Sequence, residues 1–172
     1  MPFAFRELDQ TLRDLMVSEI ASAVADGTLY FSKRFTDVGR SRWTELLIEA
    51  ARAHDEHWLA FQLEVNGALK GSEVRAKPTG GYTIAHVPHT AEETLADGEF
   101  NRYYMAAICR KAIAEGTKVV VYRAKHGATA RPESDALIGT TYDPATLVTQ
   151  LQSVGHELTK PNSGLSLQTV AA

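Results

Sequence analysis

The chain holds a single cysteine, Cys109, among 172 residues. One thiol forbids an intramolecular disulfide and any multi-cysteine zinc site, and it favours folding in a reducing cytoplasm. No stretch approaches the roughly 20 apolar residues of a membrane span. The opening Met1-Pro-Phe-Ala-Phe-Arg6 also lacks the basic flank and long apolar core of an export signal. Neither membrane insertion nor secretion is expected. The patterns Gly-Lys-Ser/Thr, G-x-G-x-x-G, G-x-S-x-G and H-E-x-x-H are missing as well, which removes the commonest nucleotide-binding and hydrolase signatures. Large net charge is the last absence: 18 Lys and Arg against 21 Asp and Glu leave -3, so the surface as a whole has no pull on nucleic acid. Any basic site must be local.

What is present suits an ordinary globular domain. Hydrophobic residues are 44% and charged residues 23% of a chain long enough to bury roughly 70% of its unfolded surface without covalent help. Leu8, Leu12, Leu15, Met16, Ile20 and Val24 recur at three- and four-residue steps, the stripe of an amphipathic helix stopped by Gly27. Leu29 to Ser32 reads as a loop. From Ser41, the positions Trp43, Leu46, Leu47, Ala50, His54, Trp58 and Phe61 trace one helical face. The polar run His54-Asp-Glu-His57 offers a break, with Asp55 capping a second helix.

Two short strands flank Pro78-Thr-Gly-Gly81, so residues 74–87 form the clearest β-hairpin signal in the chain. Thr90-Ala-Glu-Glu93 has the spacing of a capping box. The helix it opens carries Phe100, Tyr103, Tyr104, Ala107 and Ile108 on one face, ends at Gly116 and feeds the β-branched run Thr117 to Tyr122. Asp143-Pro144 pairs a cap residue with proline at the first helical position of a last helix. The expected fold is α+β: three to four amphipathic helices packed on a small, mostly antiparallel sheet. It divides into a globular domain over 1–159 and an extended C-terminal tail over 160–172, whose alternation suits an edge strand.

Charge is the most concentrated feature. Glu92, Glu93, Asp97 and Glu99 form an acidic block, followed by Arg102, Arg110, Lys111, Lys118, Arg123, Lys125 and Arg131 with only Glu115 among them. A basic helix face and strand with Tyr103, Tyr104 and Tyr122 nearby suits phosphates and stacked bases. The same pattern also reads as a solvated face with internal ion pairs, or as a charged subunit interface in which opposite blocks set register. Arg52 and His57 have the spacing of the catalytic pair in helical ribonucleases of the HEPN type, in roles of charge stabiliser and general base. Structurally they read as the rim of a helix break. His54, His57 and Asp55 fall short of a metal site for want of further ligands, and no metal or cofactor is expected. Cys109, mid-helix beside Ile108, reads as a buried small hydrophobe.

The wording of Glu99-Phe-Asn-Arg-Tyr-Tyr104, Cys109-Arg110, Val121-Tyr-Arg-Ala-Lys125, Arg131-Pro-Glu-Ser134 and Pro161-Asn-Ser-Gly-Leu165 resembles small uncharacterised proteins of tailed-phage and prophage head-gene clusters. The resemblance implies a virion or capsid-associated role and transfers no catalytic residues. The expectation is therefore a non-enzymatic structural or interaction protein of the host cytoplasm or virion, contacting copies of itself or other virion proteins. Arg102, Arg110, Lys111, Arg123, Lys125 and Arg131 are the expected contact residues. The alternative is a nucleic-acid-binding or RNA-cleaving accessory protein that uses the same basic segment together with Arg52 and His57.

Overall fold

A computed structural model of the chain describes residues 2–127, 131–153 and 155–171. Its helices are α1 (Gln10–Asp26), α2 (Asp37–Ala53), α3 (Glu56–Val65), α4 (Ala91–Glu115), α5 (Pro132–Leu137) and α6 (Pro144–Gln150). The strands are β1 (Ser72–Ala76), β2 (Tyr82–His86), β3 (Lys118–Arg123), β4 (Thr141–Tyr142) and β5 (Leu165–Val170). The fold is α+β, as expected. Its strands form two separate antiparallel sheets, a three-stranded one in the order β4-β3-β5 and the β1-β2 hairpin alone.

Local signals account for most helix ends. Asp9 caps α1 by accepting from the Leu12 N–H at 2.9 Å, and Leu12, Met16 and Ile20 are buried along one stripe. The stripe stops one turn early, leaving Val24 exposed. The polar run after Ala53 does break the second helical face: Asp55 accepts from the Trp58 N–H at 2.8 Å and starts α3. The carbonyls released at the end of α2 are held from outside, by an Arg13 guanidinium nitrogen of α1 at 2.7 Å from His54 O and 3.1 Å from Ala51 O. A cation there also suits the negative end of the helix dipole. Thr90 precedes α4 but makes no side-chain cap bond, so the expected capping box does not form.

Helix α4 is the axis of the molecule. Every residue from Glu99 to Cys109 is buried, because α1, α3, α6 and β5 enclose it on all sides. A helix buried all round has no solvent face to spend on a partner. Phe5 closes one side of it, its ring centroid 4.6 Å from Tyr104 and 5.2 Å from Phe100. The approach of α2 to the turn after α3 depends on Gly39, where a Cβ would run into the Ala68 carbonyl.

Where a tail over 160–172 beside a domain ending at 159 is expected, the described residues 160–171 pack against the body and carry its last strand. β5 pairs with β3 along its whole length, from Lys118 opposite Val170 to Arg123 opposite Leu165. Leu165, Ser166 and Leu167 have no exposed surface. The strand is buried because α4 lies across it: the Asn101 side-chain amide donates to Leu165 O at 2.7 Å, and its oxygen accepts from the Ser166 hydroxyl at 2.7 Å. Gly164 turns the chain into the strand at φ +67°, where a Cβ would strike the Lys125 carbonyl. No described helix is long and apolar enough to cross a membrane.

Candidate functional site

The cations of residues 102–131 do not assemble into one basic face. Arg102 is buried in the middle of α4, with Nε 2.6 Å from Glu99 and a guanidinium nitrogen donating to Leu151 O at 2.8 Å. Arg110 reaches across to Glu19 of α1 at 2.5 Å, and Lys111 to Glu7 at 2.8 Å. Arg123 pairs with Asp135 at 2.5 Å and also donates to Ser163 O at 3.2 Å. Lys125 pairs with Asp97 and, at 3.1 Å, with Glu93. Arg131 lies exposed just before α5.

Five of the six contact residues expected from the sequence are thus committed to carboxylates of the same chain. Three of those carboxylates, Glu93, Asp97 and Glu99, belong to the acidic block that precedes the cations in sequence. The helical turn of α4 and the return of β3 beside it bring the two blocks together. Only the Arg102–Glu99 pair is buried on both sides, whereas Arg110, Asp135 and Glu93 keep much of their side chains in solvent, so the other pairs lower the local positive charge without locking it away.

Arg52 and His57 are both exposed, but they stand on different helices, in the last turn of α2 and the first of α3. Neither side chain makes a hydrogen bond among the described residues, and the Asp55 carboxylate between them is occupied in capping. His54 lies flat against Trp58, ring centroids 4.1 Å apart at 5°, which is packing rather than ligation. Among the described residues no group of three or more His, Cys, Asp or Glu side chains converges as metal ligands. The Cys109 thiol is buried and pushed up to about 12 by desolvation. It is held as an inert thiol rather than a thiolate nucleophile.

A cleft of about 270 Å³ lies between α4 and the loops at 30–34 and 155–161, with Tyr30, Ser32, Leu69, Leu95, Glu99 and Arg102 in its wall. Its two buried charges neutralise each other, and burial raises the Glu99 carboxyl above its ordinary range.

The surface feature that stands out is apolar. In the hairpin, Val74 faces Ile84 and Ala76 faces Tyr82 across the ladder, so these four side chains share one face. Tyr82 and Ile84 are each 76% exposed and Val74 69%. The opposite face is anchored: Glu73 accepts from Arg34 at 2.8 and 3.0 Å and from Arg75 at 2.8 Å, which holds its carboxyl down at about 2. The sequence signal for the hairpin was clear, but nothing local showed that its apolar face would point away from the body. A second apolar stripe runs along α3, where Phe61 and Val65 are each 58% exposed in line with half-buried Trp58. Leu59 and Leu63 meanwhile fill the core from the other side of that helix.

No protein-family model matches the chain, and comparison with curated proteins and with solved structures finds no match to either.

Proposed function

We propose that this chain is a non-enzymatic structural protein that assembles with copies of itself through the β1-β2 hairpin, in the setting its wording resembles, the head structures of a tailed phage. One observation carries the proposal: a two-stranded sheet that presents Val74, Tyr82 and Ile84 to solvent on one face. Two strands alone are marginal in water, and three or more strands or a covering element are needed for independent stability. An apolar face of this kind on a monomer marks a site of association.

The edges of the two sheets support the same reading. The outer edge of β5 is shielded, because the Thr169 N–H donates to Glu7 at 2.7 Å and its hydroxyl at 2.8 Å. Among the described residues the hairpin has no third strand. Proteins normally blunt an edge that is not meant to pair. The nucleic-acid alternative draws no comparable support, since five of its six named cations are paired with carboxylates of the same chain.

Light scattering on the purified protein tests the proposal. An assembly larger than the monomer is expected, and Tyr82→Ser with Ile84→Ser should reduce it to monomers while leaving the far-UV circular dichroism of the helices unchanged. A wild-type chain that stays monomeric at high concentration would overturn it. Its presence in purified particles, detected by mass spectrometry, tests the virion setting.

A further inference from the structure

The molecule carries two exposed apolar stripes on different elements, and their flanking charges are of opposite sign. Beside the hairpin face stand Lys70 and Lys77, both exposed and free of side-chain partners among the described residues. From Asp55 to Val65, along α3, there is no Lys or Arg, and the exposed Glu64 sits next to Val65 without an ion-pair partner among the described residues. Within one chain the two stripes do not cover each other, since Tyr82, Ile84, Phe61 and Val65 all remain more than half exposed. A flat apolar ribbon flanked by Lys70 and Lys77 and an apolar helix face with Glu64 beside it are matched in character and charge, while Arg42 of α2, beside the end of α3, is held by Asn66 and Glu45.

We infer that the hairpin of one copy docks on the α3 stripe of a second copy, Tyr82 and Ile84 against Phe61 and Val65, in a heterologous contact. This rests on the assembly reading above and specifies its geometry. A two-fold hairpin-to-hairpin contact would bury the ribbon but bring like charges together and leave the α3 stripe open. A heterologous contact covers both stripes in every copy, and repeated around an axis it closes a ring, or a filament where the rotation does not close. The hairpin follows α3 through the short connection at 66–71, and the Arg34–Glu73 pair ties it to the loop before α2.

Complementation between two variants tests the inference. One variant carries Tyr82→Ser and Ile84→Ser and keeps its α3 stripe; the other carries Phe61→Ser and Val65→Ser and keeps its hairpin. All four side chains are exposed, and thermal unfolding of each variant verifies an intact monomer. Each variant alone should be monomeric by light scattering, with association weakened at least tenfold. An equimolar mixture should form a discrete one-to-one dimer, because a single functional contact remains and its free ends are blocked.

If the α3 variant alone assembles as the wild type does, the inference fails while the assembly reading stands. Two monomeric variants that give no complex on mixing also overturn the inference. A monomeric wild type overturns both.

Discussion

Glu56 opens α3 with a carboxyl group that is 2% exposed and accepts the Phe3 N–H at 2.9 Å. Burial outweighs that bond, so its carboxyl titrates above the ordinary range. A carboxyl raised in the folded state contributes stability while it is protonated, below its unfolded value, and loses that contribution as pH rises through the folded value. Glu56→Gln keeps the acceptor without the charge. It should be more stable than wild type at pH 7 in urea denaturation, with the difference shrinking towards pH 4.

Glu7 behaves in the opposite sense. Desolvation raises its carboxyl, but the hydrogen bonds from Lys111 and Thr169 together prevail and hold it below the ordinary range. Its contribution is present above its unfolded value and lost as pH falls through the folded one. Glu7→Gln should therefore cost on the order of 1–2 kcal/mol at neutral pH, with the penalty fading in acid. A penalty constant across that range would refute the assignment. Neither residue was legible as special in the sequence, because the partners of Glu7 lie 104 and 162 positions away and that of Glu56 lies 53 away.

Elements were legible where the signal was local. Gly27 and Gly116 end α1 and α4 at φ 70° and 68°, Asp55 and Asp143 cap α3 and α6, and the turn-rich run at 78–81 sits between β1 and β2. Each depends on backbone conformation or a bond within about four residues. The alternation of the C-terminal segment suits the edge strand that β5 forms, but its burial rests on a distant residue, because Asn101 satisfies the Ser166 hydroxyl from inside α4. Asn101→Ala leaves the Leu165 carbonyl and that hydroxyl without their partner and should cost roughly 2–4 kcal/mol. A chain ending at 159 should lose cooperative unfolding in calorimetry, since β3 would forfeit its partner and the core would lose Leu165 and Leu167. A sharp transition from that truncated chain would show that β5 is dispensable.

At the scale of the whole molecule, the net charge of -3 hides an acidic block and a basic block that fold against each other. Glu99 meets Arg102 within a turn, and Lys125 returns on the chain after β3 to meet Glu93 and Asp97. With these cations occupied, fluorescence anisotropy against single- and double-stranded DNA or RNA should find only weak binding. Its salt dependence should be far shallower than that of a protein making six phosphate contacts. A steep salt slope, abolished by Arg123→Ala or Arg131→Ala, would restore the nucleic-acid reading.

The sequence by itself determined the α+β class, the ends of α1 and α4 at Gly27 and Gly116, the starts of α3 and α6 at Asp55 and Asp143, and the hairpin, all of which follow from periodicity, caps and turn chemistry over a few residues. Only the tertiary structure decided what the charges and apolar stripes are for. Enclosure of α4 buried Arg102 against Glu99, the meeting of distant segments set Arg110, Lys111, Arg123 and Lys125 beside carboxylates of the same chain, and the Arg34–Glu73 anchor left the hairpin's apolar face outward. These outcomes depend on which distant segments meet, and a side chain's exposure is a property of that meeting.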